Sequence, residues 1–559
     1  GFLSGSEPIL HFGLGGIETI DSIILQWPEG SKEIMKGLRA DQRLKWIPGS
    51  GSGHNEKPGR ATEQLFTNET EIQGWKHQEN IFVDFKRERL LPYMISAEGP
   101  CMSIGDVNGD KLDDIYIGNG NGFPKALFFQ NKEKGFTLSV NPAFTHDSAY
   151  EDCDSVLNDL DGDGDLDLVV VSGGSAFNLN DQAYMSRYYV NDGKGIFTRS
   201  VDFPIIRTNA GAVISLDYDE DGDDDLIIGG RSTPGRYPEF PKSYLLRNDK
   251  GKFKEITHEA FPELENIGMI TDIKSGDLDG DQHREIVFAG EWMPLTIYSY
   301  EGNKFINKTS SFGVDRTTGW WKTISLADVD GDGDLDLMAG NMGLNSRLVT
   351  SEQHPITMIS KDFDGNGSID PILGFYFNDL LYPFAERDDI IGQIPRLKKK
   401  FNRYGLYAAA TINDIFAKDE LEGNTSLTIN TLETTYLINQ NKKLVPHPLP
   451  YQVQLAPVYE IIIEDFNGDG KKDILMAGNF TYSETETGEL DAGNGTVLLQ
   501  NADGTFNYIP NTEHGFWAQK EVRELKTIHL ADGSMAILTG NNQGPLEIHT
   551  ISISKKRTE

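Results

Sequence analysis

The stretch "DLDGDGDLDLVVVSGG" (residues 159–174) sets Asp159, Asp161, Asp163 and Asp167 at positions 1, 3, 5 and 9 of a loop, with glycines at positions 4 and 6 that allow a tight wrap. Such a loop aims its carboxylates inward. Oxygen at that density suits a hard cation needing six or more donors, which points to calcium, and the backbone carbonyl of Asp165 at position 7 is a further donor. Without a cation the carboxylates repel one another.

Six more copies keep the same register. "DVNGDKLDD" offers Asp106, Asn108, Asp110 and Asp114 with the carbonyl of Leu112, and "DYDEDGDDD" offers Asp217, Asp219, Asp221 and Asp225 with that of Asp223. "DLDGDQHRE" offers Asp277, Asp279, Asp281 and Glu285 with that of His283, and "DVDGDGDLD" offers Asp328, Asp330, Asp332 and Asp336 with that of Asp334. "DFDGNGSID" offers Asp362, Asp364, Asn366 and Asp370 with that of Ser368, and "DFNGDGKKD" offers Asp465, Asn467, Asp469 and Asp473 with that of Lys471. Solvated acidic turns would not fix four oxygen-bearing positions seven times. EF-hands are excluded, because position 12 carries no Glu and an apolar strand follows instead of a helix. Up to seven structural Ca2+ ions are expected.

Stepping outward from the loops, the 559 residues are 38% hydrophobic and 10% aromatic, enough for a substantial core. The net charge of -35 argues against nucleic acid or an anionic membrane as partner. Of the 86 acidic residues, 25 lie at the loop positions, and seven divalent cations bring the charge to about -21. Cys101 and Cys153 precede the first two loops at equivalent places, which leaves a disulfide or two buried thiols open. No run of 18 apolar residues forms a membrane span. The opening "GFLSGSEPILHFGLGG" lacks the basic and apolar regions of a signal peptide, so an export signal or lipid anchor is expected upstream.

Residues 1–47 read as a small β module and 48–79 as a linker that contains "PGSGSGHNEKPGR". From residue 80 to 559 one unit recurs: strand, cation loop, apolar strand, variable loop, and a hairpin such as "RYYVNDGKGIFTRS". Four antiparallel strands per unit make a β-propeller blade, and no blade can bury both faces alone, so the copies must close into a ring. The fold class is all-β. Counting "KTIHLADGSMAILTGNNQGPLEIHTI" as a cation-free copy favours eight blades, with seven as the alternative if the short fifth unit makes no blade of its own. "IFVDFKRE" (residues 81–88) is expected to supply the last outer strand. Residues 387–416 read as a helical insertion, with Ile390, Ile391, Ile394, Leu397 and Phe401 at helical spacing.

The D-x-D-G-D-G-x-x-D loops followed by a strand and "GG" or "AGN" resemble FG-GAP, or VCBS, repeats over residues 80–555. "HFGLGGIETIDSIILQWPEG" (residues 11–30) resembles the C-terminal part of an ASPIC/UnbV module. The resemblance implies calcium at positions 1, 3, 5 and 9 of each loop, with Asn108, Asn366, Asn467 and Glu285 as variants, and no site in the last copy. It also implies an exported bacterial protein, extracellular or at the outer-membrane surface of a Gram-negative cell.

The cation loops should crowd one face of the disc, leaving the loops between second and third strands on the other. There Arg231, Arg236, Tyr237, Trp292, Trp320, Trp321 and Tyr376 form the candidate ligand face, to stack on a sugar or anchor a protein, against the simpler alternative that they pack between blades. "KKK" (residues 398–400) is a solvated helix face or a docking patch. No zinc-protease spacing and no nucleophile elbow is present. The expected function is non-enzymatic: a calcium-stabilised surface protein that binds a protein partner or assembles with itself. The alternatives are a glycan-binding module and, behind it, a polysaccharide lyase or hydrolase.

Overall fold

The computed structural model describes residues 12–26, 32–46, 64–485 and 487–552. It divides into Gly1–Gln64 and Leu65–Glu559. The first unit holds one antiparallel pair, Thr19–Gln26 against Lys32–Arg39, in which Trp46 Nε1 donates to Glu33 Oε2 at 2.8 Å. The "PEG" turn (residues 28–30) and the stretch 48–60 lie outside the described residues.

In the second unit, seven antiparallel sheets form a closed ring, six of four strands and one to which Gly319–Trp320 adds a fifth. Their inner strands lie side by side in chain order: Met102–Gly105, Asp152–Asn158, Ala210–Leu216, Met269–Gly276, Thr323–Ala327, Val458–Glu464 and Val522–His529, the last returning to the first. Blades 1 to 7 take that order here. Each second strand is apolar on both sides because a blade lies against each of its faces. In blade 2, Leu168 and Val170 pack toward blade 1 while Val169 and Val171 pack toward blade 3. Seven such clusters fill the seven gaps between blades. Burial of this kind, not hydrogen bonding along any one sheet, is what holds the blades to one another.

The ring therefore has seven blades, the alternative count, and the reason lies in blade 5. Its second strand, Asp336–Gly340, is followed by a long excursion before its third and fourth strands, Thr435–Asn439 and Leu444–His447. The excursion carries a separate four-stranded sheet, in the order Leu380–Pro383, Asp370–Phe377, Ile356–Lys361, Thr425–Ile429. The sixth cation loop belongs to that inserted sheet and not to the ring. Short helices, among them Arg387–Gln393, Tyr404–Ala408 and Ile412–Ile415, pack on it through Ile390, Ile394, Leu397, Phe401 and Phe416.

The cation-free last copy is blade 7, and its outermost strand is Phe66–Lys76, paired antiparallel with Pro545–Ile551. Two sequence expectations are corrected here. Residues 66–76 are a strand of the ring and not linker, and residues 81–88 close nothing, because Asp84–Lys86 is a 3-10 turn. Outer strands face water on one side, so "FTNETEIQGWK" lacks the apolar run that marks an inner one. Phe66 anchors the closure at 1% exposure, with ring centroids 5.4 Å from both Phe466 and Phe516. Phe66→Ala is expected to cost about 3–5 kcal/mol in urea unfolding of the propeller. A loss under about 1 kcal/mol would show that the ring closes without this anchor.

Candidate metal centres and the hub of the propeller

In each loop the position-1 carboxylate accepts backbone N–H groups from its own turn. Asp159 takes Gly162 at 2.9 Å and Gly164 at 3.1 Å, and Asp328 takes Gly331 at 2.8 Å and Gly333 at 3.1 Å. The wrap needs positive φ at positions 4 and 6, as at Gly162 (77°) and Gly164 (96°). Lys111, Gln282 and Glu220 hold the same region with side chains, which costs energy that a bound cation can offset.

The position-9 acid sits at the first residue of the second strand and is buried. At Asp114, Asp336 and Asp473 one oxygen accepts the N–H of position 2 and the other the N–H at the end of the third strand; Asp167 and Asp225 keep the second contact and Glu285 the first. Asp114 takes Val107 (3.2 Å) and Gln130 (3.0 Å), and Asp473 takes Phe466 (3.2 Å) and Gln500 (3.0 Å). In the inserted sheet Asp370 keeps the first contact, Phe363 at 2.9 Å, and receives the Gln393 side chain of the helical segment at 2.7 Å in place of the second.

The residues fit a cation. Carboxylate oxygens lie within 4.8 Å of one another in five groups: Asp159, Asp161 and Asp163; Asp217, Asp219 and Asp225; Asp277, Asp279 and Glu285; Asp328, Asp330 and Asp332; Asp362, Asp364 and Asp370. Asp165 Oδ1, Asp219 Oδ1 and Asp225 Oδ2 are buried with no hydrogen-bond donor, and Asp279 Oδ1 has only Lys442 Nζ, at 3.6 Å. Burial, then the neighbouring loop carboxylates, pushes Asp165 up to about 6; burial outweighs backbone hydrogen bonds to push Asp114 and Glu285 up to about 7 and Asp225 to about 8. A divalent ion supplies the positive charge such groups lack. In loop 1 the Asn108 amide instead donates to Asp114 at 3.0 Å.

The family model for the FG-GAP-like repeat matches residues 106–170, 159–228, 217–287 and 277–339, and the ASPIC and UnbV model matches residues 1–53. These are FG-GAP-like repeats. No curated protein matches the chain. Among solved structures, BBS1N in complex with ARL6DN is similar at 11% identity and TM-score 0.37, covering 84% of this chain and 95% of that one. The Vibrio cholerae biofilm matrix protein Bap1 is similar at 11% identity and TM-score 0.36, covering 88% and 92%.

Five of the blades share a contact that the loop motif does not contain. The side-chain amide at the end of the third strand crosses to the preceding blade: Asn191 to Val107 O (2.8 Å), Asn248 to Leu160 O (2.7 Å), Asn439 to Leu278 O (2.6 Å), Gln500 to Val329 O (2.8 Å), Gln130 to His529 O (3.0 Å). Four of the five accepting carbonyls sit at position 2 of a cation loop, so those four loops are also joints between blades. Its sequence signal is the Asn or Gln closing "YYVN", "YLLRN", "YLIN", "VLLQ" and "LFFQ".

The candidate ligand face is corrected. Tyr237, Trp292 and Trp320 are buried in one hub cluster with Tyr93, Phe480 and the insertion residues Leu348, Ile356 and Met358. Trp292 Nε1 donates to the Tyr237 hydroxyl at 2.6 Å, and the Trp292 and Trp320 rings meet edge to face at 5.4 Å. Trp321 fills the gap between blades 4 and 5, its Nε1 donating to Thr317 O at 2.8 Å. Arg231 is buried between Glu98 (2.7 Å) and Glu291 (2.8 Å). Arg236 remains exposed in a bidentate pair with Glu239, and half-buried Tyr376 lies 5.0 Å from the His354 ring. Within the "KKK" run, Lys400 Nζ donates to Ile415 O at 3.3 Å. The face is covered by the blade 5 insertion and by residues 77–100, so its aromatics became core.

Bulges at the same place in five inner strands turn two successive residues toward the axis, among them Asp154, Asp272, Glu460 and Glu524. They line a cavity of about 100 Å3 with Lys274, Lys322, Arg523 and Lys526. The charges are largely paired: Lys526 with Glu524 (2.8 Å), Lys322 with Glu291 (2.6 Å), Lys274 with Asp272 (2.6 Å). Burial opposes ionisation of Glu291, but Arg231 and Lys322 outweigh it and hold its carboxyl near 2. Cys101 and Cys153 are free thiols.

Two outcomes follow for the loops. Each ion at tenfold excess over its Kd adds about 1.4 kcal/mol; chelation is therefore expected to lower Tm by many degrees, and an unchanged melt after confirmed metal removal would defeat the assignment. In calcium-free protein the raised position-9 acids favour the folded state at low pH, and that contribution is lost as pH rises through 7 to 8. Tm without calcium should therefore fall between pH 6 and 8, and calcium should flatten the slope. A calcium-free Tm that rises over this interval would contradict it.

Proposed function

We propose that this chain is a non-enzymatic, calcium-stabilised extracellular or cell-surface protein of a bacterium that binds a protein partner or assembles with itself. The observation that carries the reading is the set of clustered, donor-less carboxylate oxygens in loops that also join the blades. Loops this exposed suit the weak calcium affinity of extracellular modules, roughly 0.1 to 1 mM. Placement at the outer-membrane surface of a Gram-negative cell rests on the resemblance to exported bacterial proteins that combine these two modules. Among the described residues no helix is long and apolar enough to cross a membrane.

Recognition is assigned to the insertion of blade 5 on the face opposite the ring's cation loops. It exposes Phe377 and Leu380 around a hairpin turn, and Tyr404 and Leu406 on a helix. Exposed aromatic and aliphatic side chains on an element outside the ring's own architecture are the natural anchors for a partner. The glycan reading loses its stacking shelf, because Trp292, Trp320 and Trp321 are in the core. The charged groups of the axial cavity hold one another in ion pairs, which leaves little for acid–base catalysis there.

The test is crosslinking with mass spectrometry on intact producing cells in millimolar calcium. Crosslinks from Lys398, Lys399 or Lys400 to a neighbouring protein or a second copy are expected. A variant with Phe377, Leu380, Tyr404 and Leu406 all changed to Ser keeps these lysines, and it should lose the crosslinks while keeping its calcium-dependent melt. Crosslinks that persist in that variant, or none in the intact chain, would overturn the assignment.

A further inference from the structure

Glu151 stands just before the inner strand of blade 2 and is 1% exposed, yet both of its carboxylate oxygens lack a hydrogen-bond partner. The carboxylate lies over Gly174, where a Cβ would come within 2.2 to 2.4 Å of its atoms. A side chain at 174 would occupy that space. An isolated buried carboxylate is costly unless something neutralises it.

The neighbouring cations do not neutralise it. Lys125 reaches Asp152 (3.7 Å) and the Tyr150 carbonyl, Arg231 is taken by Glu98 and Glu291, and Arg523 pairs with Glu521 (3.4 Å). His77 is neutral, burial first and then the charges of Arg523 and Lys125 holding it near 3. The surroundings add more negative charge: Glu79 and Glu98 bear most strongly on Glu151, followed by Asp84. Further oxygens are buried without donors, namely Glu79 Oε2, Asn542 Oδ1 and Asn209 Oδ1. Asn542 donates to the other Glu79 oxygen at 2.8 Å, and Asn209 Oδ1 would lie 3.0 Å from a Cβ on Gly173, beside the glycine under Glu151.

This region thus combines excess negative charge with acceptors that want donors. Its acids, Glu151, Glu79 and Glu98, do not form one of the tight groups seen in the cation loops, where carboxylate oxygens lie within 4.8 Å of one another, so a bare ion ligated by these acids together does not fit. A hydrated ion does, because its positive charge answers the carboxylate while its water molecules donate to oxygens too far apart to share a dehydrated centre. Mg2+ dehydrates reluctantly and is commonly held by one or two carboxylates with several waters retained. We propose that the hub holds one hydrated divalent cation of the magnesium type, with Glu151 as its direct ligand and Glu79, Asn209 and Asn542 receiving its waters. The site is separate from the calcium loops and independent of what the insertion binds.

The experiment is equilibrium dialysis of the full chain against millimolar calcium and magnesium together, with both metals counted by atomic emission. Glu151→Gln is expected to hold one magnesium fewer per chain and the same calcium. Magnesium added to calcium-saturated protein should raise the Tm of the native chain and leave that of Glu151→Gln unmoved. In magnesium-free buffer the variant should melt no lower than the native chain, since it removes a buried charge. Should it fail to fold, Glu79→Gln keeps the question open to test: it loses only a water contact, and its magnesium affinity should fall about tenfold. Unchanged metal content in Glu151→Gln, or unchanged affinity in Glu79→Gln, would overturn the site and leave Glu151 a protonated acid. Loss of a calcium in place of the magnesium would overturn it too, by showing a dehydrated ion.

Discussion

The carboxylate at the ninth position of each loop is the interaction on which the propeller depends. It is the first residue of a strand, the last member of the ligand set and, at Asp114, Asp336 and Asp473, the acceptor that ties the loop's second amide to the end of the third strand. Burial makes it a poor anion unless a cation completes its surroundings. Stability of the sheet and occupancy of the loop therefore share one group, and neither can change without the other. The Asn or Gln at the end of the third strand extends that linkage to the neighbouring blade, so an ion bound at one loop would be felt across the gap between two sheets.

The cation-loop face and the hub use charge in opposite ways. On the loop face, carboxylates of one sign converge, an arrangement that suits an external cation. Near the axis, acids and bases alternate on the inner strands and neutralise one another, with Arg231, Lys322, Glu98 and Glu291 forming a paired network beneath the aromatic cluster. Paired buried charges add little net stability but fix geometry, since removing either partner leaves the other stranded. Glu151 departs from that pairing, which is why it stands out.

The loops and their strands were legible because their signals are local: four oxygen-bearing positions at fixed spacing, followed by an apolar run buried on both faces. The closing strand was not legible, because Phe66–Lys76 is half-exposed and gains its partner from the far end of the ring. Seven repeats of the motif suggested a place in the ring for the sixth, yet only 15 residues separate Gly340 from Ile356, too few for blade 5 to complete itself before the sixth loop begins. The choice between ligand face and core for the hub tryptophans was not legible for a related reason. A loop in sequence is exposed only if nothing covers it, and their cover comes from residues 77–100 and 341–434, at no fixed distance along the chain.

Closure by Phe66–Lys76 also sets an order in time. Thr67 meets Thr550 across 483 residues of chain, so on a ribosome making roughly 5 to 20 residues per second the strand waits about 25 to 100 s for its partner. Throughout that interval the growing chain is an open arc with an unpaired edge at each end. An arc of that kind can accept the closing strand of another molecule as readily as its own, and only completion of blade 7 makes the choice intramolecular. Crowded synthesis therefore favours exchanged rings, whereas dilution favours single ones.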